Sequence, residues 1–287
     1  MNIVQQLVNG VIIGHGYALV AIGWTVLLGT ARLVNFGHGQ MYMFGAFLTW
    51  WFMRAFGLPY LLSIPLAVVA GAVLGALMQR ALIRLTIEQN LVSLMIATLG
   101  FGQILEGTAG TLFGAQSQFI DSPFDKINIS FGTVIFTAQD VLVVLVTIIL
   151  FLALRFIMVR TKLGAWIRMV AEDPKLTQLA GISTSWVYFV VFAFEGAAVV
   201  FAAAVVAPRM PIDPSMGFDQ VIMTFVVVVL GGMGSITGSY VAGLVLGIFT
   251  AVVGAFVAPA YTSAAAFLVL IFIMVARPGG LAAGKRA

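Results

Sequence analysis

The chain has 287 residues, of which 62% are hydrophobic and only 8% are charged. A soluble domain carries about 25% charged residues, so this composition excludes an ordinary water-soluble protein and indicates a membrane protein with little mass outside the bilayer. The net charge of +4 is informative only through the positions of the charges, and the absence of cysteine excludes disulfides and thiolate metal sites.

Nine apolar runs follow one another along the chain. A full helical span needs about 20 residues, and three of the runs are shorter, Gln220–Gly231 being the least certain to cross. We therefore expect an all-α polytopic transmembrane bundle of about eight to nine segments, with broken or half-helices, in a single domain over residues 1–287. The first run lacks the basic region and cleavage site of a secretory signal, so we expect it to be retained as a span. The runs are Ile3–Gly29, Gly39–Met53, Tyr60–Leu82, Leu91–Phe113, Val141–Val159, Trp186–Ala207, Gln220–Gly231, Ile236–Val257 and Thr262–Ala276.

The distribution of Lys and Arg predicts the orientation. With the N-terminus outside and nine crossings, 11 of these residues lie on the cytoplasmic side and 3 on the outer side, as the positive-inside rule requires. The polar loop 114–140 then lies outside, and the C-terminus lies inside. The outer residues are Arg54, Lys126 and Arg209. The cytoplasmic residues are Arg32, Arg80, Arg84, Arg155, Arg160, Lys162, Arg168, Lys175, Arg277, Lys285 and Arg286.

The two Gly-rich breaks in the apolar pattern are candidates for the transport path. In Arg32–Gln40, Gly37 and Gly39 permit a sharp turn, and a helix that restarts at Gln40 would direct free backbone N–H groups toward the break. A plain cytoplasmic turn is the alternative. Residues 230–238 form a similar break, and interrupted segments in two halves of a transporter point to its path.

Polar residues are few within the apolar runs. Glu195 lies near the centre of its run, where an acid costs a few kcal/mol, so it should face the bundle or be protonated. It is either a polar contact in the path or a neutral acid bonded to a neighbouring helix. Glu106 lies nearer the outer end and can reach water, and His15 is expected to be a core histidine bonded to its helix. We expect the path to be bordered by Asn35, His38, Gln40, Tyr42, Glu106 and Glu195.

No pattern in the sequence indicates an enzyme. There is no metal-ligand spacing and no nucleophile motif, and the glycine-rich segment 231–238 lacks the lysine of a phosphate-binding loop. We therefore expect no catalytic residues, no cofactor, no metal and no nucleic-acid partner, and no ATP hydrolysis by this chain.

The polar stretch 160–184 predicts a short helix outside the membrane. Asp173 can cap this helix, Pro174 suits its first position, and Gly181 can end it. Three apolar residues would share one face, namely Leu176, Leu179 and Ala180. Such a helix is a docking surface for another protein, and a solvated loop is the alternative.

Four blocks of the sequence resemble one family of transporters. Gly16–Phe47 contains Asn35–Gln40, which reads N-F-G-H-G-Q and is similar to the N-F-A-H-G-E block of branched-chain amino-acid ABC importer permeases of the LivH type. The blocks Gly164–Ile182, Leu230–Gly247 and 276–281 also match this family in the same order. The resemblance spans almost the whole chain.

The resemblance implies a permease subunit of an ATP-driven importer in a bacterial inner membrane. The implied partners are a second, LivM-like permease, two ATP-binding subunits that hydrolyse ATP, and an extracytoplasmic solute-binding protein. The resemblance also implies that the 160–184 stretch couples to an ATPase. The coupling residues would be Glu172, Asp173, Pro174, Leu176, Leu179 and Gly181.

Two departures from the family bear on the substrate. Gln40 replaces the usual glutamate, and Glu195 stands where the family usually has a small or hydroxyl residue. A branched-chain or other hydrophobic amino acid is the expected cargo, although relatives of the family are associated with urea, short amides and aromatic acids. An ion-coupled secondary transporter of such a small solute and a non-transporting membrane scaffold are the alternatives.

Overall fold

Eleven α-helices and one β-hairpin make up the part of the chain that this computed structural model describes, residues 3–86, 91–277 and 279–281. The hairpin pairs Asn128 with Thr137 in antiparallel register. The elements are α1 (Ile3–Ala31), α2 (His38–Phe56), α3 (Tyr60–Thr86), α4 (Leu91–Phe113), β1 (Asn128–Phe131), β2 (Val134–Thr137), α5 (Ala138–Arg160), α6 (Lys162–Glu172), α7 (Pro174–Leu179), α8 (Thr184–Val206), α9 (Met216–Gly231), α10 (Ile236–Phe256) and α11 (Thr262–Ala276).

The prediction of a polytopic helical bundle is confirmed. Six of these helices are long and apolar enough to cross a membrane, and α2, α9 and α11 complete the nine predicted segments. Helix α9 begins at Met216, four residues before the predicted start. The sequence did not predict the hairpin or α6. Lys285, Arg286 and Pro278 of the predicted C-terminal features lie outside the described residues.

Helix α1 lies at the centre of the bundle through its second half, where every residue from Ala18 to Leu28 is buried, as is typical of a helix stretch that is apolar on all sides. It packs against α10, α8, α9 and α5. Glycines allow the closest of these approaches: a Cβ on Gly14 would lie 2.7 Å from the Cα of Leu244, and one on Gly247 would collide with the backbone of Gly14. Small residues at crossings are the usual means of close helix packing in membranes.

The two ends of α1 contact different parts of the chain. At its start, the Gln5 amide donates to the carbonyl of Ile135 (2.9 Å) and accepts from the N–H of Ile135 (2.8 Å), so α1 begins beside the hairpin. Beyond its other end, Arg32 Nη2 donates to the carbonyl of Ala171 in α6 (3.3 Å). The 114–140 loop and the 160–184 stretch therefore lie at opposite ends of the bundle.

We predict that Gly247→Val destabilises the α1–α10 crossing, because its side chain has no room against Gly14. Overpacking of this kind costs about 1–3 kcal/mol. The measurement is the apparent Tm of the purified protein in detergent. Gly107→Val is the matched control, since a Cβ on Gly107 meets no atom within 4 Å. Equal melting temperatures for the two variants would contradict this packing.

Candidate functional site

The first break, residues 32–37, is an irregular segment that runs back alongside α1. Helix α1 ends at Ala31, and Arg32 has a positive φ of 52°, which reverses the chain direction. His38, the first residue of α2, lies against Val20 and Trp24. Val20 and Trp24 lie roughly 10–17 Å before the end of α1 along the helix axis, at a rise of about 1.5 Å per residue. Helix α2 therefore begins deep within the bundle, at His38 and not at Gln40 as predicted.

The backbone of this break is satisfied by protein groups. The N–H of Phe36 donates to Thr98 Oγ1 (3.1 Å), and the N–H of Gly37 donates to Asn35 Oδ1 (3.0 Å). The N–H of His38 donates to the Asn35 carbonyl (3.3 Å). Irregular backbone at membrane depth is tolerated only where protein or a watery cavity surrounds it. Asn35 and Gly37 of this segment are buried, and Arg32 at its start is exposed.

Glycines allow the break and the start of α2 to pack closely against α4 and α9. A Cβ on Gly37 would lie 2.8 Å from the Thr98 carbonyl in α4, and one on Gly39 would collide with the Gly217 carbonyl in α9. The second predicted break, between α9 and α10, contacts the end of α1, where a Cβ on Gly29 would lie 2.8 Å from the Cα of Gly234. The two Gly-rich breaks are thus connected through α1.

Three of the predicted path residues form one buried polar cluster. Glu195 Oε1 on α8 accepts from Asn35 Nδ2 (2.8 Å) and lies 3.0 Å from His38 Nδ1. All three residues have no exposed surface. Gly23 of α1 permits this close packing, because a Cβ at that position would lie only 3.2 Å from the Cα of Glu195. The cluster joins α8 to the break and to the first residue of α2. Glu195 is 160 residues from Asn35 and 157 residues from His38 in the sequence.

Each ring nitrogen of His38 has one oxygen within hydrogen-bond distance. Nδ1 lies 3.0 Å from Glu195 Oε1, and Nε2 lies 3.2 Å from the carbonyl of Val20. A carbonyl only accepts, so a bond to Val20 requires a proton on Nε2. A ring in that form bonds to Glu195 by sharing one further proton between Nδ1 and Oε1, and such a pair has no net charge.

Trp24 completes the cluster and was not found by the sequence reasoning. Its ring stacks on the His38 ring, with centroids 5.0 Å apart and planes inclined by 21°. Trp24 is a single aromatic residue within an apolar run, and no local pattern distinguishes it from other core residues. The same holds for Thr98, whose hydroxyl accepts from the break.

Gln40 and Tyr42 lie beside the cluster on α2 and are buried, but they do not join it. Among the described residues, Gln40 Oε1 and the Tyr42 hydroxyl have no hydrogen-bond partner, and the same is true of Glu195 Oε2. A buried polar group without a partner costs about 1–3 kcal/mol. Ordered water or a ligand is the usual partner of such groups.

Glu106 is separate from these residues. It is half-buried on α4, where its carboxylate accepts a long hydrogen bond from Gln103 Nε2 (3.4 Å). The predicted path residues therefore fall into a joined trio, two buried neighbours and one acid on another helix. His15 is the core histidine that the sequence predicted, with its ring nitrogens 2.8 Å from the Val11 carbonyl and 3.1 Å from the Tyr240 hydroxyl.

The predicted coupling segment forms a capped helix at the opposite end from the hairpin. The Asp173 carboxylate accepts from the N–H groups of Lys175 (2.8 Å) and Leu176 (3.1 Å), and Gly181 ends the segment with φ of 81°. Leu176 and Leu179 are 64% and 85% exposed, so the predicted apolar face has no partner within the described chain. Pro174 is the first residue of α7, as predicted.

Glu172 has a different position from the rest of the coupling set. It ends α6 and lines a cavity of about 890 Å³ together with Arg32 and Arg168. The cavity lies between the end of α1, α6 and the α9–α10 turn. Charged residues of both signs thus face each other where the break begins.

The chain matches one family of transport proteins over most of its length. Residues 6–274 match the family described as "Branched-chain amino acid transport system / permease component". The high-affinity branched-chain amino acid transport system permease protein BraD of Pseudomonas aeruginosa is 30% identical, over 96% of this chain and 94% of that protein. LivH of Escherichia coli K12, which has the same description, is 31% identical over the same shares.

Two further similarities are more distant. The permease protein LivM of Salmonella typhimurium is 28% identical over 76% of this chain and 57% of its own length. Among solved structures, PsaBC from Streptococcus pneumoniae in complex with Fab has a TM-score of 0.50 and 13% identity, over 95% of this chain and 91% of that chain. This last similarity concerns the fold alone.

We predict that Glu195→Leu lowers the apparent Tm in detergent more than Glu195→Gln does. Leucine leaves the Asn35 amide and His38 Nδ1 buried without their carboxylate partner, at about 1–3 kcal/mol for each group, whereas glutamine keeps an accepting oxygen and the shape. Glu106→Leu is the control and should cost little, since its one contact is long and half-exposed. Equal losses for Glu195→Leu and Glu195→Gln would show that hydrogen bonding in the cluster contributes nothing to stability.

Proposed function

The chain belongs to the family of permease components of branched-chain amino acid transport systems, and from this membership we propose that it passes a branched-chain or other hydrophobic amino acid across a bacterial inner membrane. It is a membrane-spanning permease of the ABC importer type. The similarity to LivH and BraD over 96% of the chain carries this conclusion. An ion-coupled secondary transporter gains no support from it.

A second permease is the first proposed partner. The chain is similar to LivH and also, at lower coverage, to LivM of Escherichia coli, so that organism has two permeases of this kind. We propose a pair in which this chain takes the LivH place. Two ATP-binding subunits and an extracytoplasmic solute-binding protein complete the proposed assembly, with ATP hydrolysis on the separate subunits.

The proposed ATPase contact is α7 with its flanking residues. Leu176 and Leu179 are exposed on a helix held in shape by the Asp173 cap and the left-handed Gly181. An apolar pair on a rigid short helix, outside the membrane and rimmed by polar groups, is suited to a groove on another protein. Pro174 occupies the first position of this helix, and Glu172 lies two residues before it, at the end of α6. The bond between Arg32 and Ala171 gives the segment a direct connection to the break between α1 and α2.

The proposed solute path passes the start of α2. Asn35, His38 and Glu195 would form its supporting wall, and their cluster keeps the break in one geometry. The polar atoms of Gln40 and Tyr42 that lack partners supply dipoles at the same level, and Glu106 would contribute an acid from α4. A path with few polar groups binds the solute only weakly, which suits a pore that has to release its cargo.

The proposed orientation places the N-terminus and the hairpin outside and α7 in the cytoplasm. The asymmetry of Lys and Arg supports it. The three cations assigned to the outer side each have a partner within the chain: Arg54 lies over the Trp50 ring (5.4 Å), Lys126 pairs with Asp121 (2.7 Å), and Arg209 pairs with Asp140 (2.8 Å).

The function is tested by uptake of labelled leucine into proteoliposomes that hold the complete assembly. We expect uptake to require ATP and the binding protein. Leu179→Asp should lower it by roughly tenfold or more, because an unpaired charge buried in an apolar contact costs more than the ~1.4 kcal/mol of a tenfold change. Leu179→Met keeps the apolar surface and should transport normally. ATP-independent uptake would refute the importer, and normal uptake by Leu179→Asp would refute only the docking face.

The orientation is tested with single cysteines, since the chain has none of its own. Phe131 on the hairpin is 83% exposed, and Lys175 on α7 is exposed. We expect a membrane-impermeant maleimide to label Phe131→Cys in intact spheroplasts and to label Lys175→Cys only after permeabilisation. The reverse pattern would invert the topology.

A further inference from the structure

A polar stripe runs along the outer half of α1. Gln6, Asn9 and Tyr17, with Ile13 between them, are separated by three or four residues and so lie on one face of the helix. The stripe extends over roughly 16 Å at 1.5 Å per residue. Asn9 Oδ1 accepts from Gln5 Nε2 (2.8 Å) and Tyr17 bonds to Thr250, but the Gln6 amide and the Asn9 NH2 group would lack partners in hydrocarbon at considerable cost. This face is therefore poorly suited to contact lipid.

The stripe borders a cleft of about 390 Å³ whose opposite wall is also polar. Thr250 of α10 and Thr262 at the start of α11 face it across the gap. The gap widens toward the outer end because Gly254 has no side chain there, and a Cβ at that position would have only the Thr262 hydroxyl nearby, at 3.6 Å. None of the described residues that line this cleft is acidic or basic.

The groups in the cleft define what it can bind. Asn9 Oδ1 accepts from Gln5 Nε2 (2.8 Å), the Thr250 hydroxyl donates to the Gly247 carbonyl (3.1 Å), and Tyr17 bonds to Thr250. The Gln6 amide and the Asn9 NH2 group have hydrogen bonds left to make. Their donors can meet the carboxylate of an amino acid and the Gln6 oxygen can meet its ammonium, whereas a solute with net charge would find no counter-charge. Ile13 gives an apolar patch in the middle of the stripe. This chemistry selects neutral and zwitterionic solutes and holds them weakly.

The size of the cleft, about 390 Å³, suits a small solute. A single amino acid with accompanying water fits that volume, since small-molecule pockets begin at about 300 Å³.

The face of α1 that forms the cleft continues to the buried cluster. After Tyr17, the same three-and-four spacing reaches Val20 and Trp24, the two residues of α1 that contact His38. Both are fully buried, at 0% and 1% exposure. This face of α1 thus borders an open cleft from Gln6 to Tyr17 and is buried from Val20 onward, where α2 begins beside it.

We propose that the cleft between α1, α10 and α11 is the outer solute site of the transport path, taking a zwitterionic amino acid, and that the stacked Trp24 and His38 rings form its closed floor. This proposal rests on the proposed importer function and on the orientation given above. It adds the residues that meet the cargo before the break between α1 and α2 has to open.

The test uses single cysteines at Asn9 and Thr250, with Leu7→Cys as the matched control. Leu7 lies two residues from Asn9 on α1 but faces the apolar groove toward α5. The complete assembly in proteoliposomes is treated from the outer side with a small charged methanethiosulfonate, with and without leucine. Modification is measured as a mass increase of the permease, which does not depend on transport, and uptake is measured in parallel.

We expect Asn9→Cys and Thr250→Cys to be modified, to lose uptake by roughly tenfold or more on modification, and to be modified several-fold more slowly when leucine is present. Leu7→Cys should keep its uptake. Modification that leucine does not slow, or that leaves uptake unchanged, would overturn the proposal. So would cysteines that stay unmodified and instead cross-link to the second permease, which would make this face an interface between subunits. Uptake by the untreated cysteine-free chain without ATP would refute the importer, whereas leucine protection of the two cysteines would still support the site.

Discussion

The structure depends on one constraint, which is that a backbone without regular hydrogen bonding at membrane depth must find its partners inside the protein. The segment between α1 and α2 meets this constraint through Asn35, whose side chain accepts from Gly37 and donates to Glu195. Glu195 in turn requires a donor pair, since an isolated acid at that depth is too costly. The two groups are satisfied where α8, the start of α2 and the middle of α1 meet, and Trp24 stacks on His38 at the same place.

Helix α1 connects the regions for which a function is proposed above. Its first half carries the polar stripe, its middle contacts the buried cluster, and Arg32 just beyond its end binds the carbonyl of Ala171, close to the start of α7. Its glycines place it against α10 and α8 without intervening side chains. If α7 docks on an ATPase as proposed, a displacement of α7 has a short physical route to the break, through Arg32 and the segment that follows it.

Features set by local chemistry could be predicted from the sequence, and features set by tertiary contact could not. The apolar runs, the Asp173 cap and the left-handed Gly181 depend on composition or on neighbours a few residues away, and all are present in the structure. The bond between Asn35 and Glu195 joins residues 160 positions apart, and no pattern along a single chain encodes that pairing. The same reason explains why Trp24 was missed and why the break could not be distinguished from a cytoplasmic turn. Glu195 could be recognised as costly, yet its partner could not be named.

The contact between His38 and Glu195 has an electrical consequence. A charge that crosses the membrane field exchanges about 2.3 kcal/mol per 100 mV with it, so a lone carboxylate on a moving element would make the motion depend on the membrane potential. Glu195 is not alone, since its Oε1 lies 3.0 Å from His38 Nδ1. A carboxylate paired with an imidazolium carries no net charge as a pair, and such a pair does no electrical work of its own when it moves in the field.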